Sequence, residues 1–398
     1  MTEPWPRVSL AELLRLERRP VKVEPTKLYQ EIGIYCFGRG VFHKTPRTGL
    51  EVGEKDLFLM QEGDFILQVT FAWEGAVAVI SQSEDGMYGS TRYPTFRVDG
   101  ARCNPEFLLN YFKTHEGIQQ LVRISPGSAG RNRVLSLKRI PGVMVPLPPL
   151  SEQQQVNKRI ALISAEIREA TKLRQQSAEQ ARQLLFSCCE GALQRCEKKF
   201  PGESLRTLVE PDRGISYGVV QTGSDVEGGI PTLRAGDLRW FAVNTKTLKR
   251  VATELASSYR RTTLRGGELL LRIRGGVGEV AVCPPQMIGG NVSREIAVIP
   301  FKPNVNPQFA MYLLAAPTNQ ARMTGHVKGT SYVGINLKDV RNLMLPLPTL
   351  AEQHRVVAEL SALETQIDTL RLFQTETSAA LDALLPSVLS KAFSGSLQ

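Results

Sequence analysis

Asn followed by Pro occurs at Asn104-Pro105 and again at Asn306-Pro307. With a second proline and an aromatic residue after it, that pair would hold an exocyclic amine for methyl transfer. Glu106 and Gln308 stand where the second proline is needed. Each pair instead leads an apolar run, FLLNYF or FAMYLL, which predicts an Asn N-cap with Pro in the first helical turn. Glycines that could cradle a phosphate cluster at Gly38-Arg39-Gly40 and at Gly275-Gly276-Val277-Gly278. The second cluster runs into another β-type stretch, which predicts a hairpin. A nuclease of the PD…(D/E)xK order finds only Glu197-Lys198-Lys199 for its last element, with Pro211-Asp212 after it instead of before. No Walker A, HExxH or GxSxG sequence occurs. Six cysteines (Cys36, Cys103, Cys188, Cys189, Cys196 and Cys283) include no C-x-x-C pair, and the four histidines are scattered. Reduced thiols and no metal site are expected. These residues make no active site.

The elements around them are duplicated. Residues 146–160 read PLPPLSEQQQVNKRI and residues 346–360 read PLPTLAEQHRVVAEL. Pro146, Leu147, Pro148, Leu150, Glu152, Gln153 and Val156 each recur 200 positions later. Upstream, Asn104-Pro105-Glu106-Phe107 answers Asn306-Pro307-Gln308-Phe309, and Gly63-Asp64-Phe65-Ile66-Leu67 answers Gly267-Glu268-Leu269-Leu270-Leu271. A colinear series of this length marks two tandem copies. The first part of each copy mixes short β-type runs (Phe65–Thr70, Ala76–Ile80, Leu269–Ile273, Val280–Cys283) with Gly-rich turns and short helical stretches. It is expected to be an α/β or α+β unit.

The second part of each copy is nearly free of Gly and Pro, and its apolar residues step alternately by four and three. The first seam is Val156, Ile160, Ile163, Ile167, Ala170, Arg174, Ser177, Ala181, Leu184 and Cys188. The second is Val356, Leu360, Leu363, Ile367, Leu370, Gln374, Thr377, Leu381, Leu384 and Val388. A helix of ~40 residues would span roughly 60 Å and needs a partner of like length, which the chain supplies. A long intramolecular coiled coil is expected. In an antiparallel pair the polar midpoints, Arg174 and Ser177 with Gln374 and Thr377, meet and set register. Two amphipathic helices, each packed on its own domain, are the alternative. Pro386 is a point for a kink or an end. Glu152-Gln153 and Glu352-Gln353 fall in the first helical turns, where capping and dipole complementarity are their expected roles, with Ser151 as a cap. Four segments follow: globular domains at 1–147 and 200–347, and helical spacers at 148–199 and 348–398, in a pseudo-two-fold internal repeat.

Charge points to the partner. The chain carries 49 Lys and Arg against 39 Asp and Glu, a net +10. Residues 101–150 hold seven cations against two acids and residues 301–350 five against one, while residues 51–100 hold three against nine. Two basic windows 200 residues apart on a long spacer suit double-stranded DNA read at two half-sites. A protein–protein scaffold would explain the helices but not the recurring charge. At 398 residues with 42% apolar and 22% charged residues, disordered and fibrous classes are excluded. The longest apolar stretch, Ile66 to Ile80, is broken by Glu74, so no membrane span is expected. The start, MTEPWPRVSL, lacks the pattern of a signal peptide, and an intracellular, cytoplasmic protein is expected.

This layout resembles the specificity subunit of type I restriction–modification enzymes. In that family two target-recognition domains alternate with two helical regions, each introduced by P-L-P-x-L-x-E-Q, here Pro146–Gln153 and Pro346–Gln353. The ending LLPSVLSKAFSGSL and the opening of the second half, GISYGVVQTGSDVEGGIPTLRAGDL, are similar to the family's. The stretch Arg7 to Gly53 lacks the corresponding opening, and the first helix ends in a Cys-rich stretch instead of the family's usual ending. The resemblance implies a non-catalytic subunit that binds no cofactor itself. It would dock two methyltransferase subunits carrying S-adenosylmethionine, and restriction subunits using ATP and Mg. Each domain would read half of a split target, with an antiparallel helix pair fixing the gap. A free-standing two-site DNA binder is the alternative.

Two sets of residues are candidates for DNA contact. After the shared Gly-acid turn, Leu67 and Val69 correspond to Leu271 and Ile273 on the core face of a strand. Gln68 and Thr70, and in the second copy Arg272 and Arg274, face the other way, where Gln would favour adenine and Arg guanine. An ordinary solvated strand face is the alternative. Before the Pro-x-Pro break, Ser128, Arg131, Arg133, Lys138 and Arg139 answer Lys328, Thr330, Tyr332, Lys338 and Arg341. There small residues would let backbone approach phosphate and cations would neutralise it. Lys138 and Lys338 have strand-edge or capping roles as their alternative.

Overall fold

The computed structural model describes residues 5–127, 133–325 and 334–394. They form two compact units, Met1–Leu173 with Thr375–Gln398, and Arg174–Gln374. Each unit holds one globular body and part of each long helix.

In the first unit Phe65–Leu67 pairs antiparallel with Val77–Val79, Leu67 opposite Val77. Thr95–Val98 flanks it on the other side and Leu14–Leu16 completes a four-stranded sheet. Side chains alternate across a strand, and here both faces are covered. Phe65 and Leu67 join Tyr111 and Phe112 of helix Pro105–Phe112, while Ile66 joins Ile32, Ile34 and Ala78. The second unit repeats the scheme. Leu269–Arg272 lies between Val280–Val282 and Ile296–Ile299, with Ser216–Tyr217 outermost. Leu269 and Leu271 pack with Phe309 and Tyr312, and Leu270 with Ala281 and Val298. The glycines of 275–278 sit in the antiparallel hairpin that the sequence predicts. Gly278 takes φ +114, a backbone conformation that favours Gly, and a Cβ there would also displace the Gln320 amide.

Each body is closed at its base in the same way. Arg7–Ser9 pairs with Met144–Pro146, Arg7 opposite Pro146, and Gly202–Ser204 pairs with Met344–Pro346, Gly202 opposite Pro346. The Asn-Pro caps form as expected: Asn104 Oδ1 accepts from Glu106 and Phe107 N–H, and Asn306 Oδ1 from Gln308 and Phe309 N–H.

The long helices run over Leu150–Glu197 and Leu350–Phe393. The second does not end at Pro386, since Leu389 and Ala392 beyond it are buried with Ile160 in the first unit. Ser151 lies inside the first turn and is not its cap. In the Arg174–Gln374 unit the two helical segments run in opposite directions: Arg174 donates to Gln374 C=O at 3.3 Å, and Arg195 donates to Glu359 at 2.9 Å. The expected seam needs correction at four positions, since Leu370 and Thr377 are exposed as well as Leu184 and Leu384. Leu184 and Leu384 are 52% and 46% exposed; Leu185 is buried and Leu385 half-buried in their stead. Ala181, Leu185, Cys189, Ala192 and Cys196 step by four, four, three and four. That period is nearer a straight helix than a 3.5-residue seam, because this stretch packs on the second body. Glu190 accepts from Thr318 N–H and Oγ1–H at 2.9 and 2.6 Å, and Arg322 donates to Glu197.

Where the second long helix meets helix Pro307–Ala315, Tyr312 donates to Glu364 at 2.5 Å. Burial, with Asp368 adding to it, holds the Glu364 pKa above the ordinary carboxylate value. A raised folded-state pKa means stability present below the unfolded value and lost as pH rises through the folded one. Glu364→Gln, which keeps an acceptor for Tyr312, should therefore melt above wild type at pH 8, and the gap should close toward pH 4. Melting curves across that range check it.

Candidate nucleic-acid interface

The duplicated Gly-acid turn is the anchor of both bodies. Asp64 is fully buried and accepts from Gln61 N–H at 2.9 Å and from Arg19 at 2.6 and 3.2 Å, with Arg97 at 3.2 Å. Glu268 accepts from Arg265 N–H at 2.7 Å and from buried Arg213 at 2.9 Å, and Arg213 also donates to Thr263 C=O. Glu268 Oε2 has no partner among the described residues. A buried carboxylate needs such pairing, so the first turn fixes Arg19 and Arg97 and the second Arg213, with the segments that carry them.

In the second body Arg213 sits on the wall of a cleft of about 550 Å³. Arg206, Arg261, Lys338 and Arg341 also line it, against the acids Glu210 and Asp212. Arg341 donates to Ile215 C=O at 2.8 Å and braces the wall, while Lys338, on helix Leu337–Asn342, is exposed. A neighbouring cleft of about 460 Å³ shares Ser216 and Arg261. The geometry is an open basic trough suited to a polyanion.

The first body places Lys138 and Arg139 at the matching position, exposed on the 3₁₀ turn Leu137–Gly142. Arg133 lies over the Trp73 ring, 5.4 Å from its centroid. Ser128, Arg131, Lys328, Thr330 and Tyr332 lie outside the described residues.

The strand-face expectation holds on its core side, where Leu67 packs with Val69 in one core and Leu271 with Ile273 in the other. It is corrected on the outward side, where the intervening polar residues are engaged within the chain. Gln68 is buried and its Oε1 accepts from Phe71 N–H at 2.5 Å, which spends it on its own turn. Thr70 is half-buried and its carbonyl accepts from Trp73 Nε1–H. Arg272 folds back on the hairpin, bonded to Glu279 at 2.6 Å and to the carbonyls of Arg274 and Gly275. Arg274 is half-buried, its backbone bridged to Gly334. Among the expected register residues, Arg174 and Gln374 exchange hydrogen bonds, each donating to the other's carbonyl. Ser177 is half-buried and Thr377 exposed.

Two features escaped sequence reasoning. Gln153 and Gln353 are completely buried. Gln153 Oε1 accepts from Asn104 N–H at 2.8 Å, and its Nε2 donates to the carbonyls of Pro148 and Arg102. Gln353 does the same with Asn306 N–H at 2.7 Å and the carbonyls of Pro348 and Asn304. The residue read as a dipole complement is a clamp joining each long helix to its Asn-Pro turn. The exact recurrence of Gln and Asn-Pro together was the available signal. The second feature is buried Glu31, on which Lys44, Arg47 and Lys55 converge. Burial works to raise its pKa, but the Lys55 and Arg47 bonds hold it below the ordinary value. Three cations on one acid leave a local surplus of positive charge around Glu31.

Among the described residues no three His, Cys, Asp or Glu side chains gather as a metal site. No helix there is long and apolar enough to cross a membrane.

Comparison with known proteins agrees with this geometry. Residues 226–375 match the model of the type I restriction modification DNA specificity domain. The Escherichia coli type I restriction enzyme EcoBI specificity subunit is 25% identical over 373 residues, 88% of this chain and 75% of that protein. The EcoKI specificity subunit of E. coli K12 is 25% identical over 283 residues, 64% of this chain and 58% of that protein. A chain from a structure of the type I R-M system in complex assembly has a TM-score of 0.72 at 21% identity, covering 100% of this chain and 99% of that one. The crystal structure of the HsdS subunit from Thermoanaerobacter tengcongensis has a TM-score of 0.56 at 21% identity, covering 100% and 98%. These last two show the fold. The sequence matches support one family, the specificity subunits of type I restriction–modification systems, with the family's DNA specificity domain at 226–375.

Proposed function

We propose that this chain is the DNA-recognition subunit of a type I restriction–modification complex, each body reading one half of a split target. The observation that carries this is the same buried glutamine clamp on both copies, in two bodies that carry different cationic groups. Equivalent mounting with different surfaces suits two different half-sites on one duplex. The long helices act as an antiparallel coiled coil that fixes the gap and docks two methyltransferase subunits and the restriction subunits. The opposed pairing of Arg174 with Gln374 and of Arg195 with Glu359 supports that arrangement. The chain itself is non-catalytic and works in the cytoplasm. S-adenosylmethionine, ATP and Mg belong to the partner subunits.

The test is purification of the tagged protein from its native host, with mass spectrometry of its companions and selection of bound duplexes from a random pool. A methyltransferase subunit and a motif of two short blocks with a fixed gap are expected. A bipartite motif without a methyltransferase would leave a free-standing two-site DNA binder; one contiguous block would overturn the split reading. On the selected duplex, Lys338→Ala and Arg261→Ala should each flatten the slope of log K against log salt by about one. Unchanged slopes would remove the cleft from the interface.

A further inference from the structure

Among the described residues only two non-glycine residues have positive φ, and both are phenylalanines, Phe37 at +62° and Phe241 at +64°. A bulky side chain there is strained, and such strain persists where the surroundings enforce it. Each precedes the first residue of its sheet's central strand, Phe65 or Leu269, by the same spacing in the chain. Phe241 N–H donates to Val280 C=O, at the start of the strand paired with Leu269–Arg272. Phe37 N–H donates at 2.7 Å to Glu74 C=O, just ahead of the strand paired with Phe65–Leu67.

Their rings have different fates. In the second body Phe241 lies 5.6 Å from Tyr312 and 5.9 Å from Phe186, and Trp240 lies 4.8 Å from Phe186, so the aromatic turn is packed on the long helix. In the first body Phe37 is 68% exposed and Tyr35 46%. The Arg39 guanidinium lies over both rings, at 5.5 and 5.9 Å. This hairpin tip is held rigidly. Gly38 N–H donates to Gly75 C=O at 2.9 Å, Tyr35 N–H to Gly40 C=O at 2.9 Å, and Gly38 lies so close to the Lys113 side chain that a Cβ would stand 2.6 Å from it. The turn it is stitched to carries Phe71, 38% exposed, and Trp73 under Arg133.

We infer that the Tyr35–Gly40 tip is a base-stacking element, with Phe37 as the residue that enters the duplex in the first body's half-site. This rests on the DNA-recognition reading and names how one copy performs it. Rings interleaved with guanidinium groups offer flat faces to bases and positive charge to phosphates. Apolar rings pressed between base steps unstack and kink the duplex. The cations beside these rings favour DNA over an apolar protein surface. The second body has spent the corresponding aromatic residues on its own packing, so the two half-sites are contacted by different means.

Glycine at position 37 suits the left-handed backbone, so Phe37→Gly should fold as well as wild type or better. The full chain, with whatever subunits co-purify, is bound to its selected duplex carrying 2-aminopurine at successive positions. Wild type should brighten the probe at one step in one half-site only. Phe37→Gly should abolish that signal and weaken binding ~5- to 150-fold, the worth of one base–aromatic stack, with its melting temperature held or raised. Phe37→Trp should retain both signal and affinity. If wild type selects no duplex, the DNA-recognition reading fails and takes this one with it. If wild type binds and Phe37→Gly binds equally well, only the stacking role is overturned. Loss of a co-purifying subunit with DNA binding intact would overturn it too, and assign the tip to a protein contact.

Discussion

Arg213→Leu is expected to unfold the Arg174–Gln374 unit preferentially, at a cost of ~3–5 kcal/mol, the usual penalty for removing one partner of a buried ion pair. The reason lies on Glu268. Its Oε1 accepts from Arg213 and from Arg265 N–H, and its Oε2 already lacks a partner among the described residues. Without the guanidinium, a buried carboxylate keeps a single backbone donor. Thr263 C=O loses its donor in the same step. Hydrogen exchange should accelerate through peptides of this unit while those of Met1–Leu173 hold their protection. The double variant Arg213→Leu, Glu268→Gln removes the stranded charge and keeps an acceptor for Arg265, so it should recover much of the loss. A single variant as stable as wild type would show that the pair does not anchor the turn.

The second large effect falls on the clamp. Gln353→Leu leaves Asn306 N–H and the carbonyls of Pro348 and Asn304 without their partner, and each buried unpaired group costs ~1–3 kcal/mol. Exchange should rise at residues 304–309 and at the start of the second long helix before the rest of the unit. Gln353→Glu is expected to be worse, because it keeps the acceptor, loses both donated bonds and buries a charge. Where the helices fix the gap as proposed, Gln353→Leu should also bind duplexes with one base pair more or less between the blocks almost as well as the selected one. Gap selectivity that stays intact while exchange rises would separate the clamp from the ruler.

Much of the frame was legible because it was written twice. The Asn-Pro caps, the glycine hairpin and the long helices each rest on local rules that need only neighbouring residues. The readout residues were not legible for a specific reason. Alternation does place Val69 with Leu67 and Ile273 with Leu271 on the core side, but on the outward side Gln68 closes a turn and Arg272 folds onto Glu279. Nothing local marks whether an outward polar side chain is left free or bonded to a neighbouring turn. Glu31 and its three cations are spread over 25 residues and meet only when the chain folds. Leu184 and Leu185 are both apolar, and only packing on the second body decides which of them turns inward.

The strand pair at the base of each body has a historical consequence. The chain comes in along Arg7–Ser9 or Gly202–Ser204 and goes out along Met144–Pro146 or Met344–Pro346, hydrogen-bonded side by side. A module whose two ends meet at one seam can be replaced by recombination at two crossover points, leaving the neighbouring frame unaltered. The clamp beyond the seam is the same on both copies, so a newcomer needs only an Asn-Pro turn to be seated. On the proposed DNA-recognition role, new targets would then be acquired by exchange of whole cassettes, without a gradual remodelling in which every intermediate must still be read.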